Sequence, residues 1–197
     1  MRGKLAILVA LLLGMVGLTA CQSYEFRGTV LDPPKPLNDF ALDKPDGGTF
    51  HLGDYAGQYV LLYFGYTYCP DACPATMFQV KRAFELLGDD ADQVQMVMVT
   101  VDPARDSAQL LDKYVTNFDP RFIGLRTDDP AALDLILAQF GAYYEIDPAE
   151  AGSTDYLVSH TASLFLVNPA GELAEVFTYG ATGQDIASDI QHLLKKG

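Results

Sequence analysis

The sequence predicts an α/β fold in one domain of ordinary size, and three observations predict it. One uninterrupted apolar and aromatic run, Tyr59–Tyr66, and a second, largely apolar and Val-rich run, Val94–Val101, have the length and content of buried strands. Segments with apolar residues at helical spacing follow each of them. A further pair of apolar runs meets at Asn168-Pro169-Ala170-Gly171, which has the composition of a tight turn between two strands.

The elements follow in order. After the first strand, Met77, Val80, Phe84 and Leu87 mark a helix that stops at Gly88. Val94–Val101 is the second strand, in which Met96 and Met98 alternate with Val97 and Val99 and read as core. Leu110, Leu111, Tyr114, Val115 and Phe118 share one helical face, with Ser107 placed as its N-cap. Arg121–Arg126 reads as a short strand, and Leu133, Ile136, Leu137 and Phe140 form another helix. The hairpin across Asn168–Gly171 comes next, and Ile186, Ile190, Leu193 and Leu194 close the chain with a helix. Strand, helix, strand, helix, then a hairpin and a closing helix describe a thioredoxin-like layer. The extra helix and the Tyr143–Tyr156 segment are insertions within it.

The N-terminus carries its own signal. Arg2 and Lys4 precede an apolar run from Leu5 to Leu18, which is short of the ~20 residues that cross a bilayer and suits a secretory signal. Leu18-Thr19-Ala20-Cys21 resembles the lipobox of bacterial lipoproteins. On this reading residues 1–20 are removed, Cys21 takes the lipid, and the mature protein lies outside the cytoplasm, at the periplasmic face. Lipidation also accounts for the odd one of three cysteines. Residues 21–38, rich in Pro, Asp and Gly, read as a tether lifting a domain of residues 39–197 off the membrane, with Phe40 to Leu42 available as an edge strand. Loss of Arg2 and Lys4 takes the formal charge from −13 to −15. So acidic a body excludes nucleic acid as a partner and disfavours docking on anionic lipid.

The chemistry concentrates in Tyr63–Met77, YFGYTYCPDACPATM. A strand leads into Cys69 and a helix leaves Cys73. Pro70 disfavours helical geometry at Cys69, and Pro74 suits a first helical turn. Cys73 is therefore expected at or beside the helix cap, where backbone amides and the macrodipole would lower its pKa. A disulfide closing so short a loop would contribute only about 2 kcal/mol, little for a structural staple. Two readings stay open on the residues alone. One is a dithiol that exchanges disulfides. The other is a metal site, since a third intervening residue lets both sulfurs reach one ion. Soft thiolates favour Cu(I), whereas closed zinc sites need four protein ligands. Of the three histidines, His192 is expected on the exposed side of the last helix and His51 on a surface strand. His160 immediately precedes Thr161–Asn168, TASLFLVN, in the loop before a strand that a thioredoxin-like layout lays against the cysteines.

Cys-Pro-Asp-Ala-Cys-Pro at 69–74, Val-Asp-Pro-Ala-Arg-Asp at 101–106 and Ser-His-Thr at 159–161, in this order and spacing, resemble the Sco/SenC family of copper-binding proteins. The likeness runs from about Phe40 to the C-terminus. It implies a thioredoxin-like fold with family insertions and a role in metallating the dinuclear copper site of cytochrome c oxidase subunit II, alone or with other assembly factors. It implies Cys69, Cys73 and His160 as ligands of copper, Cu(I) or Cu(II). Asp71 belongs to the motif and is expected to cap the loop, and Asp102 and Asp106 to shape theirs. Ala162 stands near the position of the cis-proline of redox thioredoxins, and Tyr66 stands where peroxiredoxins carry a threonine. Both departures argue against those activities. The alternative kept beside a chaperone is a thiol–disulfide oxidoreductase, with Cys69 and Cys73 as its redox pair, that reduces the oxidase's copper-site cysteines.

Overall fold

The computed structural model describes residues 24–146 and 155–196. Ten strands and four α-helices follow one another: β1 Thr29–Pro36, β2 Ala41–Asp43, β3 Thr49–His51, β4 Tyr59–Gly65, α1 Ala72–Leu87, β5 Val94–Thr100, α2 Ala108–Thr116, β6 Ile123–Leu125, α3 Pro130–Phe140, β7 Tyr144–Ile146, β8 Val158–His160, β9 Leu164–Val167, β10 Glu172–Phe177 and α4 Gly183–Leu194. Six strands form the central sheet in the order β1-β10-β9-β4-β5-β6. β4, β5 and β6 are parallel, while β9, β10 and β1 add antiparallel at the other side. The expected thioredoxin-like fold is the one formed.

Every residue of β4 is buried, as its unbroken apolar run requires of a strand covered on both faces. Successive side chains of β4 point to opposite faces. Tyr63 lies with Cys73 on the α1 side, whereas Phe64 packs edge-on against Phe140 of α3 at 5.5 Å. Helices α1 and α3 therefore cover opposite faces. α4 lies across α1 at Gly183, where a Cβ would fall 2.6 Å from Arg82 Cβ and 2.7 Å from the Gln79 carbonyl, so only glycine allows the crossing. Met77, Met96 and Met98 are all core, as expected. The helix ends obey their local chemistry: Ser107 caps α2 by accepting from Leu110 N–H, and Thr182 and Asp185 form a capping box on α4.

The tether departs from expectation. Thr29–Pro36 is not free chain; it is the edge strand β1, paired with β10 from Thr29↔Val176 to Pro36↔Glu172. An edge position, with an irregular register between Val30 and Lys35, tolerates prolines that cannot donate to a ladder. Ala41–Asp43 does form a strand, but it pairs with β3 in a separate hairpin. The signal segment 1–20, Cys21 and residues 147–154 of the Tyr143–Tyr156 insertion lie outside the described residues.

Candidate metal centre

The site lies where β4 ends. Its position is fixed by a buried acid that the sequence suggested only as loop architecture. Asp106 accepts from Thr67 N–H at 3.0 Å, Thr67 Oγ1 at 2.5 Å and Thr100 Oγ1 at 2.6 Å. Burial pushes its carboxyl up, and these three donors oppose that shift. The strand-to-helix loop is thereby tied to the end of β5. Beyond it, Cys69 N–H bonds the Tyr66 carbonyl at 3.3 Å, and the chain turns through Pro70 and Asp71 into α1.

Asp71 occupies the N-cap but its side chain makes no capping bond, contrary to expectation. A sulfur takes that place: Cys69 Sγ accepts the Cys73 N–H at 3.3 Å. This inverts the expected pair. Cys73 lies inside the first turn, with its side chain directed to the sheet and fully buried, whereas Cys69 is half-buried over the helix end. The Cys69 thiol is lowered to about 3, chiefly by a hydrogen bond from Cys73, with the amides of Cys73 and Asp71 adding to it. Cys73 is pushed up beyond the ordinary thiol range by that same bond with Cys69 and by burial. Both cysteines are free. The resting pair is one thiolate and one thiol.

His160, at the end of β8, completes the group. Its Nε2 stands 3.4 Å from Cys73 Sγ, and the two sulfurs and a ring nitrogen all lie within 4.8 Å of one another. Its Nδ1 is 3.2 Å from the Thr161 carbonyl, which can only accept; Nδ1 therefore carries the proton and Nε2 presents a lone pair. The Tyr63 and Tyr66 rings meet the imidazole edge-on at 6.0 and 5.7 Å. Tyr66 Oη also accepts the Val158 N–H at 3.2 Å, joining β8 to the cysteine loop. A three-coordinate ion with bonds of about 2.2 Å needs donors about 3.8 Å apart. Two sulfurs and one imidazole at these spacings fit a soft ion with little movement.

The other histidines stand apart. His51 is an exposed strand residue facing Asp39 at 3.5 Å, as read from its alternation. His192 is not on a bare helix face; the Tyr24 ring stacks on it at 3.8 Å. The sequence placed Asp102 in loop architecture, as it proves, but not the partners through which it joins the loops of the site, Arg105 and Tyr156. Asp102 accepts from Arg105 Nε at 2.5 Å and from Tyr156 Oη at 2.6 Å. The Arg105 guanidinium lies 3.5 Å from the Tyr156 ring centre and 5.0 Å from that of Tyr68, and donates to the Tyr156 carbonyl. One cation thus bridges the residue before Cys69 and the strand leading to His160. Its place in the Val-Asp-Pro-Ala-Arg-Asp segment was the signal available.

The comparisons agree with this geometry. The SCO1/SenC family profile matches residues 31–195. Protein sco1 of Schizosaccharomyces pombe is 32% identical over 96% of this chain and 77% of its own. The chain spans less than two thirds of the length of the mammalian mitochondrial relatives it matches. Among solved structures, apo Sco1 from Thermus thermophilus is 37% identical with a TM-score of 0.78, covering 87% of this chain and 99% of that one. Bradyrhizobium japonicum ScoI with copper bound is 30% identical with a TM-score of 0.71, covering 80% and 98%.

Proposed function

The chain belongs to the SCO1/SenC family, and from that premise we propose that it is a membrane-tethered copper chaperone. Cys69, Cys73 and His160 hold the copper, as Cu(I) or Cu(II), and pass it toward the dinuclear copper site of cytochrome c oxidase subunit II, directly or through other assembly factors. The observation that carries this reading is the convergence of two sulfurs and an imidazole lone pair within 4.8 Å at the mouth of one helix. Copper found in a 30% identical relative supports the ion. Two thiolates and a neutral imidazole around Cu(I) leave a charge of −1, a centre that incoming thiolates can attack by ligand exchange. Arg105, Asp106 and the two tyrosines hold the loops so that the three donors meet before metal arrives.

Anchoring belongs to the same proposal. Residues 1–20 act as the signal, Cys21 takes the lipid, and the domain works at the periplasmic face. Among the described residues no helix is long and apolar enough to cross a membrane. The test of delivery is anaerobic incubation of copper-loaded protein with the apo copper domain of an oxidase subunit II. Metal should move to the acceptor from the wild type, and His160→Ala should arrive poorly loaded and transfer little. Retention of all copper by the wild type would refute delivery.

One observation favours a second reading. A half-buried thiolate at Cys69 backed by a buried thiol at Cys73 is also the arrangement of an attacking and a resolving sulfur. As an oxidoreductase the protein would reduce the disulfide of the oxidase subunit, forming a mixed disulfide through Cys69 that Cys73 releases. That chemistry needs both cysteines and not the imidazole. Full activity of His160→Ala in cells, with either cysteine variant inactive, would select it.

A further inference from the structure

A second cluster of buried acids lies away from the sulfurs and has no part in the chemistry above. Asp189 of α4 and Glu175 of β10 are both buried. Asp189 accepts from Tyr24 Oη at 2.5 Å and from the backbone N–H groups of Arg27 and Gly28 at 2.7 and 2.9 Å. Glu175 accepts from the same Gly28 N–H at 3.1 Å. Buried carboxyls are costly unless hydrogen-bonded, and the donors here come from the chain that precedes the first strand. Tyr24 stacks on His192, and Phe26 sets its edge against both rings, at 5.1 and 5.4 Å. At Gly28 a Cβ would lie 2.3 Å from Glu175 Oε1, so any larger residue there would have to displace the Glu175 side chain.

The place where this segment leaves the domain is equally defined. Gln191, beside His192, bonds the carbonyl of Leu86, one residue from the end of α1, while Cys73 lies in the first turn of that helix. Tyr24 therefore sits at the opposite end of α1 from the sulfurs. From Cys73 to Leu87 the helix rises about 20 Å. Only Gln22 and Ser23 separate Cys21 from Tyr24, three Cα steps or at most about 10 Å of extended chain.

We propose that residues 24–28 are a latch that makes the lipid tether a fixed mount: the end of α4 faces the bilayer, and the Cys69–Cys73–His160 site faces away, roughly 20–30 Å above the lipid surface. This rests on the reading of Cys21 as the anchor. The surface partner is the lipid headgroup layer itself, held close by tether length and not by charge. With the latch open, the free chain grows to the seven residues between Cys21 and Thr29 and the domain can tumble. A copper acceptor in the same membrane then has to present its site at the latched height.

The full chain, extracted from membranes and returned to phosphatidylcholine vesicles, gives the test. A maleimide donor dye on Cys69 is read against an acceptor dye on lipid headgroups, Cys73 being buried. The wild type should give a single narrow height near 20–30 Å. Tyr24→Ala, which keeps the backbone bonds to Asp189, and Asp189→Ala, which removes the latch acceptor, should broaden the height distribution and lower its mean. Thermal melts check that both variants fold; Tyr24→Ala alone suffices if Asp189→Ala does not. A wild type as broad as Tyr24→Ala, or a dye at headgroup level, would overturn the latch. Intact-mass measurement of the membrane-extracted chain tests the anchor separately: a diacylglycerol adduct at Cys21 with residues 1–20 removed supports the mount, and an unmodified Cys21 overturns the anchor and, with it, the mount as stated.

Discussion

Copper uptake by this dithiol should cost one proton and not two. With Cys69 lowered to about 3 and Cys73 raised beyond the ordinary thiol range, the empty site at neutral pH holds a single proton across its two sulfurs. Sulfur ligates as thiolate, so binding Cu(I) must expel that proton and no other. Lowering the proton concentration favours the bound state, so affinity rises with pH. Between pH 7 and 8 it should rise tenfold, about 1.4 kcal/mol. Two independent thiols of pKa about 8.5 would both be protonated at pH 7 and would approach a hundredfold rise over the same interval. Anaerobic competition against a Cu(I) chelator of known pH dependence gives the slope, and dye-detected proton release in weak buffer gives the count directly. Two protons per copper, or a slope near two, would refute the thiolate–thiol pairing derived from the Cys69–Cys73 geometry.

Other perturbations have equally defined outcomes. Gly65→Ala would set a Cβ 2.7 Å from the Tyr63 ring and 3.0 Å from Cys73 Sγ; a urea melt should show a loss of about 1–3 kcal/mol, together with weaker copper binding. Asp106→Ala leaves Thr67 N–H and the hydroxyls of Thr67 and Thr100 without their acceptor, and should cost about 3 kcal/mol in the same melt. Glu175 is held up to about 9 by burial and by Asp189, so its contribution to stability is full below the ordinary carboxyl range and is lost as pH rises through about 9. Glu175→Gln should flatten that decline in melts taken from pH 5 to 10. Arg105→Lys keeps the charge but cannot bond Asp102 and the Tyr156 carbonyl with one planar fork. It should weaken copper binding about tenfold and lower stability in the melt by about 1–3 kcal/mol, since Asp102 is buried and loses a charged partner's geometry.

Much of this was legible in the sequence because local signals and tertiary demands agree. β4 is apolar throughout and β5 nearly so since both faces of their sheet are covered, and the ends of α1 and α2 carry the glycine and serine that such ends favour. The three candidate ligands could be named from motif order, and the structure does bring them together. What local reading could not supply was direction. Whether Cys69 or Cys73 receives the helix amides depends on which way each side chain turns at the Pro70–Asp71 bend, and composition is silent on that. The proline-rich stretch after Cys21 misled for a related reason: at an edge strand the missing donors cost nothing, so β1 looks like a linker until its partner β10 is known. Asp189 and Tyr24, 165 positions apart, left no pattern to find.

Anaerobic Cu(I) titration of the reduced protein against a competing chelator tests the three-donor site most directly. One tightly bound copper per chain, abolished in Cys69→Ser and in Cys73→Ser and weakened in His160→Ala, is the predicted result. A wild type without tight binding, or a His160→Ala variant that binds as strongly as the wild type, would contradict it.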